Sequence, residues 1–190
     1  SLEETVAHVR ELVTNAVTKQ LVSDVPLCTF LSGGVDSSII TALAAHVMPL
    51  ATYSVNYEGN AQYFKRTAFQ TTEDAYWIEL MREAYNTKHT DVVISQEELV
   101  QHLEQAMLHK DMPSMADIDS SLYLFSREVK KDFTVALSGE CADELFGGYP
   151  WFYRPEMLYS DFFPWIHKPK LRPSLFKNCD LNKGYDYICG

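Results

Sequence analysis

The stretch VPLCTFLSGGVDSSIITALAAHV, residues 25–47, decides the fold. Its first part, Val25 to Leu31, is a short apolar run with β-branched and aromatic residues, closed by glycines just beyond Ser32, and reads as a buried strand. Gly33 and Gly34 then turn the chain tightly. From Ser37 to about Val47 the residues are small and apolar, the composition of a helix packed on a sheet, and Pro49 lies just past its end. Strand, glycine turn and helix in that order are the opening unit of an α/β domain.

The pattern repeats outward. Ser1 and Glu4 form a capping box ahead of Val6, Val9, Val13, Val17 and Leu21 at helical spacing, so an opening helix is expected to about Leu21. Ala51–Tyr57 reads as a strand, Asp74–Tyr85 as a helix and Thr90–Ile94 as a strand. A second capping box, Ser95 with Glu98, opens a helix to about His109. Ser120–Lys131 reads as a helix and Phe133–Leu137 as another buried strand. Alternation of this kind predicts an α/β fold, a doubly wound, Rossmann-like parallel sheet with helices on both faces. Ligands of such sheets sit beyond the carboxyl ends of the strands, and both glycine-bearing segments follow strands directly. The core domain is expected over 1–150. Residues 151–190, rich in aromatics and proline and without a clear period, read as an irregular extension that covers the sheet edge or docks on further sequence, or alternatively as a substrate lid. The close Ile188-Cys189-Gly190 carries no capping signal and reads as a truncation.

With 190 residues, 46% hydrophobic and 22% charged, the chain suits one domain or one domain plus an extension. A formal charge of −10 without clustered Lys or Arg argues against a nucleic-acid surface. An acidic chain that binds a polyphosphate must do so locally, through main-chain amides and metal ions. The four cysteines have no CxxC spacing and read as reduced thiols of a soluble, cytoplasmic protein. No apolar stretch approaches the roughly 20 residues of a membrane span, and no membrane partner is expected. The six histidines show no metal-ligand spacing and read as surface or core residues.

Leu31-Ser32-Gly33-Gly34-Val35-Asp36-Ser37-Ser38 has the means to hold an anion. Glycines let main-chain N–H groups approach closely, the new helix adds free amides and a positive dipole end, and three serines can each donate a hydroxyl. It is not a Walker loop, since no Gly-Lys-Ser/Thr follows. The structural alternative is a glycine turn with Asp36 or Ser37 as N-cap. Further on, Ser138-Gly139-Glu140-Cys141-Ala142-Asp143-Glu144-Leu145-Phe146-Gly147-Gly148-Tyr149 follows a strand and sets three carboxylates close together. Such carboxylates repel unless a cation or donors sit among them. Magnesium held by one or two carboxylates plus phosphate oxygens answers that need. The alternative is an acidic, solvated helix start.

The first segment resembles the pyrophosphate-binding loop S-G-G-x-D-S of the N-type ATP pyrophosphatases. The second resembles the S-G-E-G-A-D-E-x-F-G-G-Y string of the asparagine synthetases within that group, in their C-terminal synthetase domain. The resemblance covers roughly residues 1–150 and implies an adenine nucleotide alpha hydrolase-like fold, with ATP and Mg2+ as cofactors. It implies that Ser32, Gly33, Gly34, Asp36, Ser37 and Ser38 hold the phosphates, that Leu31 is also part of the ATP site, that Val55 offers main-chain contacts to adenine, and that Ser138 and Gly139 meet ATP or the adenylate. It gives Glu140 and Asp143 catalytic roles and Asp36, Asp143 and Glu144 to magnesium. Asp74 falls where the family also carries acidic residues. The implied reaction adenylates the side-chain carboxylate of aspartate with release of pyrophosphate, then transfers ammonia to give asparagine. A glutaminase domain is expected in the full-length protein, outside a chain that begins at Ser1 with Cys28 in a buried strand, and a homodimer is left open. The family's helical region beyond the acidic motif, with its catalytic lysine, is also expected outside this chain.

Two departures stand out. Cys141 replaces the family's usual glycine and is strained if that position needs φ > 0. Between Lys110 and Arg127 there is no Lys or Arg to meet an α-carboxylate. There Asp111, Asp117 and Asp119 either hold an α-ammonium group or are turn and N-cap residues. Adenylation of another carboxylate, as in β-lactam synthetases or peptide cyclases, and a non-catalytic nucleotide-binding module are the competing readings.

Overall fold

Helix α1 (Leu2–Gln20) starts where the sequence places it, with the Ser1–Glu4 capping box closed in both directions. It leads into β1 (Leu27–Phe30), α2 (Val35–Val47), β2 (Ala51–Tyr57), α3 (Asn60–Tyr63), α4 (Asp74–Tyr85), β3 (Lys88–Ile94), α5 (Gln96–Gln101), α6 (Leu103–Lys110), α7 (Ala116–Val129) and β4 (Val135–Leu137). After these come α8 (Ala142–Phe146), a 3-10 turn at Pro150–Phe152 and α9 (Pro155–Leu158). The structure is a computed structural model and describes residues 1–64, 74–112 and 115–160. The chain forms two compact units, Ser1–Gly139 and Glu140–Gly190.

The first unit is built on a four-stranded sheet in the order β3-β2-β1-β4, with all three pairings parallel. β1 is central: Thr29 lies level with Thr52 on one side and Leu137 on the other. Side chains alternate between faces along a strand, and adjacent Leu27 and Cys28 enter different cores. Cys28, Tyr53, Val92 and Ile94 pack on Leu124, Phe125 and Val129 of α7. Leu27 and Leu50 pack on Ala44 of α2, with Leu21 alongside. Helices therefore cover both faces, as the alternation predicts. Burial pushes the Cys28 thiol up to about 11, so it stays protonated and serves as packing.

Strands β1 and β4 are shorter than expected over 25–31 and 133–137, β3 begins two residues before Thr90, and α7 ends at Val129 rather than Lys131; further differences lie in the helices. The helix read over 96–109 is broken at His102, which ends α5 and begins α6; its Nδ1 bonds the Glu98 carbonyl at 2.8 Å, and its backbone leaves helical geometry at φ −104°, ψ 8°. Helix α7 begins at Ala116 rather than Ser120, because the Asp119 amide donates to the Met115 carbonyl at 2.8 Å and the Asp119 carboxylate takes Lys110 Nζ at 2.8 Å. Helix α2 begins at Val35 with Gly34 as N-cap, so neither Asp36 nor Ser37 is the cap. Among the described residues, no helix is long and apolar enough to cross a membrane.

Candidate functional site

The glycine-serine loop grows out of the most buried strand. Leu31 is 1% exposed, and its amide makes a last ladder bond to the Tyr53 carbonyl at 2.8 Å. Beyond it Gly33 sits at φ +78°, where a Cβ is strained, and a Cβ there would lie 2.8 Å from the Asp74 carbonyl oxygen and 3.1 Å from Trp77 Cβ. Glycine is needed both for the turn and for the approach of α4. Gly34 is extended and no side chain caps α2. The first-turn amides of Val35, Asp36 and Ser37 have no carbonyl four residues back inside the helix, and the dipole adds positive potential. That is an anion-binding geometry.

Hydrogen-bond directions within the loop can be assigned. Ser37 Oγ donates to the Gly34 carbonyl at 3.1 Å. With its one proton spent, it accepts from the Ser32 amide at 3.2 Å and from Ser32 Oγ at 3.0 Å. Ser37 is 6% exposed and braces the loop from within, while Ser32 is exposed and Ser38 half-buried.

The carboxyl end of β4 brings the second motif's first residues to this loop. A Cβ on Gly139 would lie 3.0 Å from Asp36 Cβ and 3.1 Å from the Ser37 amide nitrogen. Val55, 39% exposed, lies two residues past the Phe30–Tyr53 register pair, in the part of β2 that runs on beyond the end of β1. Asp74, whose carbonyl abuts Gly33, joins the loop through its main chain. By contrast, Asp119 is paired with Lys110 and Asp111 is the left-handed cap of α6 at φ 59°. The side chain of Asp117 lies outside the described residues.

In the second unit Cys141 is the N-cap of α8 at φ 70°, ψ 4°, the left-handed geometry that glycine adopts without strain. A Cβ on Gly148 would fall 1.9 Å from Asp143 Oδ1, so the glycine makes room for that carboxylate. Tyr149 was singled out by no chemical signal of its own, yet the acids gather about it. Burial, then the charges of Glu144, Asp143 and Glu140, together with a hydrogen bond to Glu144, raise its phenol above the usual tyrosine value. A negative field of this kind suits a divalent cation. Among the described residues, no three histidine, cysteine, aspartate or glutamate side chains converge to hold a metal by themselves. Magnesium bound through one or two carboxylates and phosphate oxygens does not need such a cage.

Fold and loop together define a doubly wound α/β domain with a glycine-serine turn and a helix N-terminus at the carboxyl edge of its sheet. The sequence model described as asparagine synthase matches residues 8–184, and the chain belongs to that family. It is 56% identical to asparagine synthetase [glutamine-hydrolyzing] 3 of Bacillus subtilis, over 94% of this chain and 30% of that protein. It is 37% identical to asparagine synthetase [glutamine-hydrolyzing] 1 of the same organism, over 82% of this chain and 23% of the relative. A putative asparagine synthetase of Mycobacterium bovis is 34% identical, over 90% and 24%. The chain thus spans less than a third of the length of these relatives. Among solved structures, NMN synthetase from Francisella tularensis aligns with a TM-score of 0.44 at 14% identity, over 80% of this chain and 60% of that one, too slight a likeness to carry an argument.

Proposed function

We propose that this chain is the ATP-pyrophosphatase part of an amide-forming ligase that adenylates the side-chain carboxylate of aspartate and passes the activated acyl group to ammonia. The observation that carries the reading is the first turn of α2, capped by Gly34 without a side-chain hydrogen bond and with Gly139 packed against it, in a member of the asparagine synthase family. Ser32, Gly33, Gly34 and Ser38, with the amides of the turn, would bind the phosphates of ATP, and Leu31 and Ser37 would hold the loop's shape. Val55 would offer its main chain to adenine, and Ser138 and Gly139 would meet the α-phosphate or the adenylate. The aspartate carboxylate attacks the α-phosphorus, the bond to the bridging oxygen breaks, and pyrophosphate leaves. Ammonia then attacks the acyl carbon, AMP leaves, and a proton is lost to a base, for which Glu140 is proposed.

Asp36, Asp143 and Glu144 are each proposed as carboxylate ligands for magnesium. When bound, the ion would neutralise charge on the leaving pyrophosphate. Most of the protein's contribution is then positioning and electrostatic stabilisation. The domain is proposed to run over 1–150 with 151–190 as its extension. A glutaminase domain elsewhere in the full-length protein, a homodimeric assembly and a cytoplasmic location complete the reading.

ATP–pyrophosphate exchange in the complete protein, with and without aspartate, tests this. Exchange stimulated by aspartate and lost in a folded Asp36→Ala variant is the expected result. Exchange that needs a different carboxylate overturns the substrate, and absence of exchange overturns the catalytic reading.

A further inference from the structure

His89 of β3 has no part in the reading above, yet both of its ring nitrogens are bonded and the directions can be worked out. Ser54 Oγ donates to Asp91 Oδ1 at 2.8 Å, and a carboxylate only accepts. Having spent its proton, Ser54 must accept from His89 Nε2 at 3.1 Å. In the neutral ring, Nδ1 is then the acceptor and takes the hydroxyl of Thr52 at 2.9 Å. Thr52 in turn accepts from Thr87 at 3.2 Å. A single directed chain therefore runs Thr87, Thr52, His89, Ser54, Asp91. Thr52 is 0% exposed and Ser54 5%.

Thr52 and Ser54 are alternate residues on one face of β2, level with His89 and Asp91 of β3. The imidazole clamps Thr52 and Ser54, the second of which is joined directly to Val55. We propose that His89 is a positioning residue for the nucleotide: pinned between Thr52 and Ser54, its ring fixes the stretch of β2 that runs into Val55. This inference rests on the ATP-binding reading of the sheet edge.

The clamp depends on charge. Protonating Nδ1 turns it from acceptor to donor, so Thr52 and then Thr87 must reverse, and both hydroxyls are buried. Burial holds His89 below its ordinary value of 6.5; Asp91 on its own strand opposes this, Arg82 of α4 adds to it, and Glu79 of α4 opposes it. With the folded value depressed, the neutral clamp is complete above the ordinary histidine range and is lost as pH falls through the folded value.

The test uses the complete protein. Dissociation constants for ATP with magnesium are measured by calorimetry from pH 5.5 to 8 for wild type, His89→Gln and His89→Ala, and side-chain 15N spectra read the tautomer. ATP's own terminal phosphate titrates in this range, so the quantity compared is the difference between variants. The expected result is a neutral Nε2–H ring at pH 7.5. Wild-type affinity should lose about threefold more than His89→Gln on acidification, since glutamine donates and accepts without titrating. Affinity in His89→Ala should be about fivefold weaker throughout. A purely structural histidine would lower thermal stability in His89→Ala without separating the pH profiles. Identical profiles for wild type and His89→Gln, or an Nδ1–H ring, overturn the inference while ATP binding stands. No ATP binding by wild type overturns the nucleotide reading and this inference with it.

Discussion

Gly139 lies directly against Asp36: a Cβ added to the glycine would stand 3.0 Å from Asp36 Cβ and 3.2 Å from its carbonyl carbon. The chain leaving β4 thereby presses on the first turn of α2, where the proposed phosphate amides lie. Gly139→Val must displace that turn, and overpacking of this sort costs about 1–3 kcal/mol. We expect a fall of about 100-fold in ATP–pyrophosphate exchange, since small misplacements at a reacting centre are costly. Thermal melting should show a folded protein. Unchanged exchange would mean that the turn adapts and that its placement is not critical.

Gly33 and Gly34 should respond differently to the same change. Gly33→Ala places a Cβ at φ +78°, 2.8 Å from the Asp74 carbonyl oxygen, whereas at Gly34 the nearest neighbour is Ser32 Oγ at 3.4 Å. Left-handed strain and the backbone clash should cost about 2–3 kcal/mol in Gly33→Ala. In Gly34→Ala the loss should stay within about 1 kcal/mol. Urea denaturation of the two variants measures the contrast directly. Equal losses would overturn this account of the loop.

Under α2, Thr29 and Thr41 are each 0% exposed and share a hydrogen bond of 3.0 Å. Removing one hydroxyl leaves the other buried without that partner, at a cost of about 1–3 kcal/mol. The double variant Thr29→Val/Thr41→Val removes both and should recover part of the loss. A double-mutant cycle should therefore give a coupling of at least about 0.5 kcal/mol. Strict additivity would show that the pair is not coupled.

The parallel alternation was legible because buried strands and amphipathic helices have different periods, and both capping boxes closed as Ser1–Glu4 and Ser95–Glu98 predict. The break at His102 was not, because it depends on a side chain taking the Glu98 carbonyl inside a segment whose composition is helical throughout. At the loop, the residue types were readable but their division of labour was not. Ser32, Ser37 and Ser38 look alike in sequence, and only the burial of Ser37 and its bond to Gly34 set that brace apart from the exposed Ser32 and the half-buried Ser38. The positive φ at Cys141 was foreseeable from the glycine usual at that place in the family. The gathering of Glu140, Asp143 and Glu144 about Tyr149 arises from the fold of the turn after α8, which no spacing rule encodes.

Tyr149 offers a report on magnesium that does not depend on catalysis. Its phenol is held above the usual range by burial first and then by the charges of Glu144, Asp143 and Glu140. A tyrosine titrating late in this way remains protonated to higher pH than an ordinary phenol, and the cause specifies what shifts it back. A divalent cation among those carboxylates cancels their repulsion of the phenolate, so added magnesium should move the Tyr149 transition to lower pH. Difference absorbance near 295 nm between wild type and Tyr149→Phe isolates this phenol from the other ten. Asp143→Asn should lower the starting value and reduce the response to magnesium. If the difference titration does not respond to magnesium while Asp143→Asn still shifts it, the carboxylates act on Tyr149 but do not hold the ion.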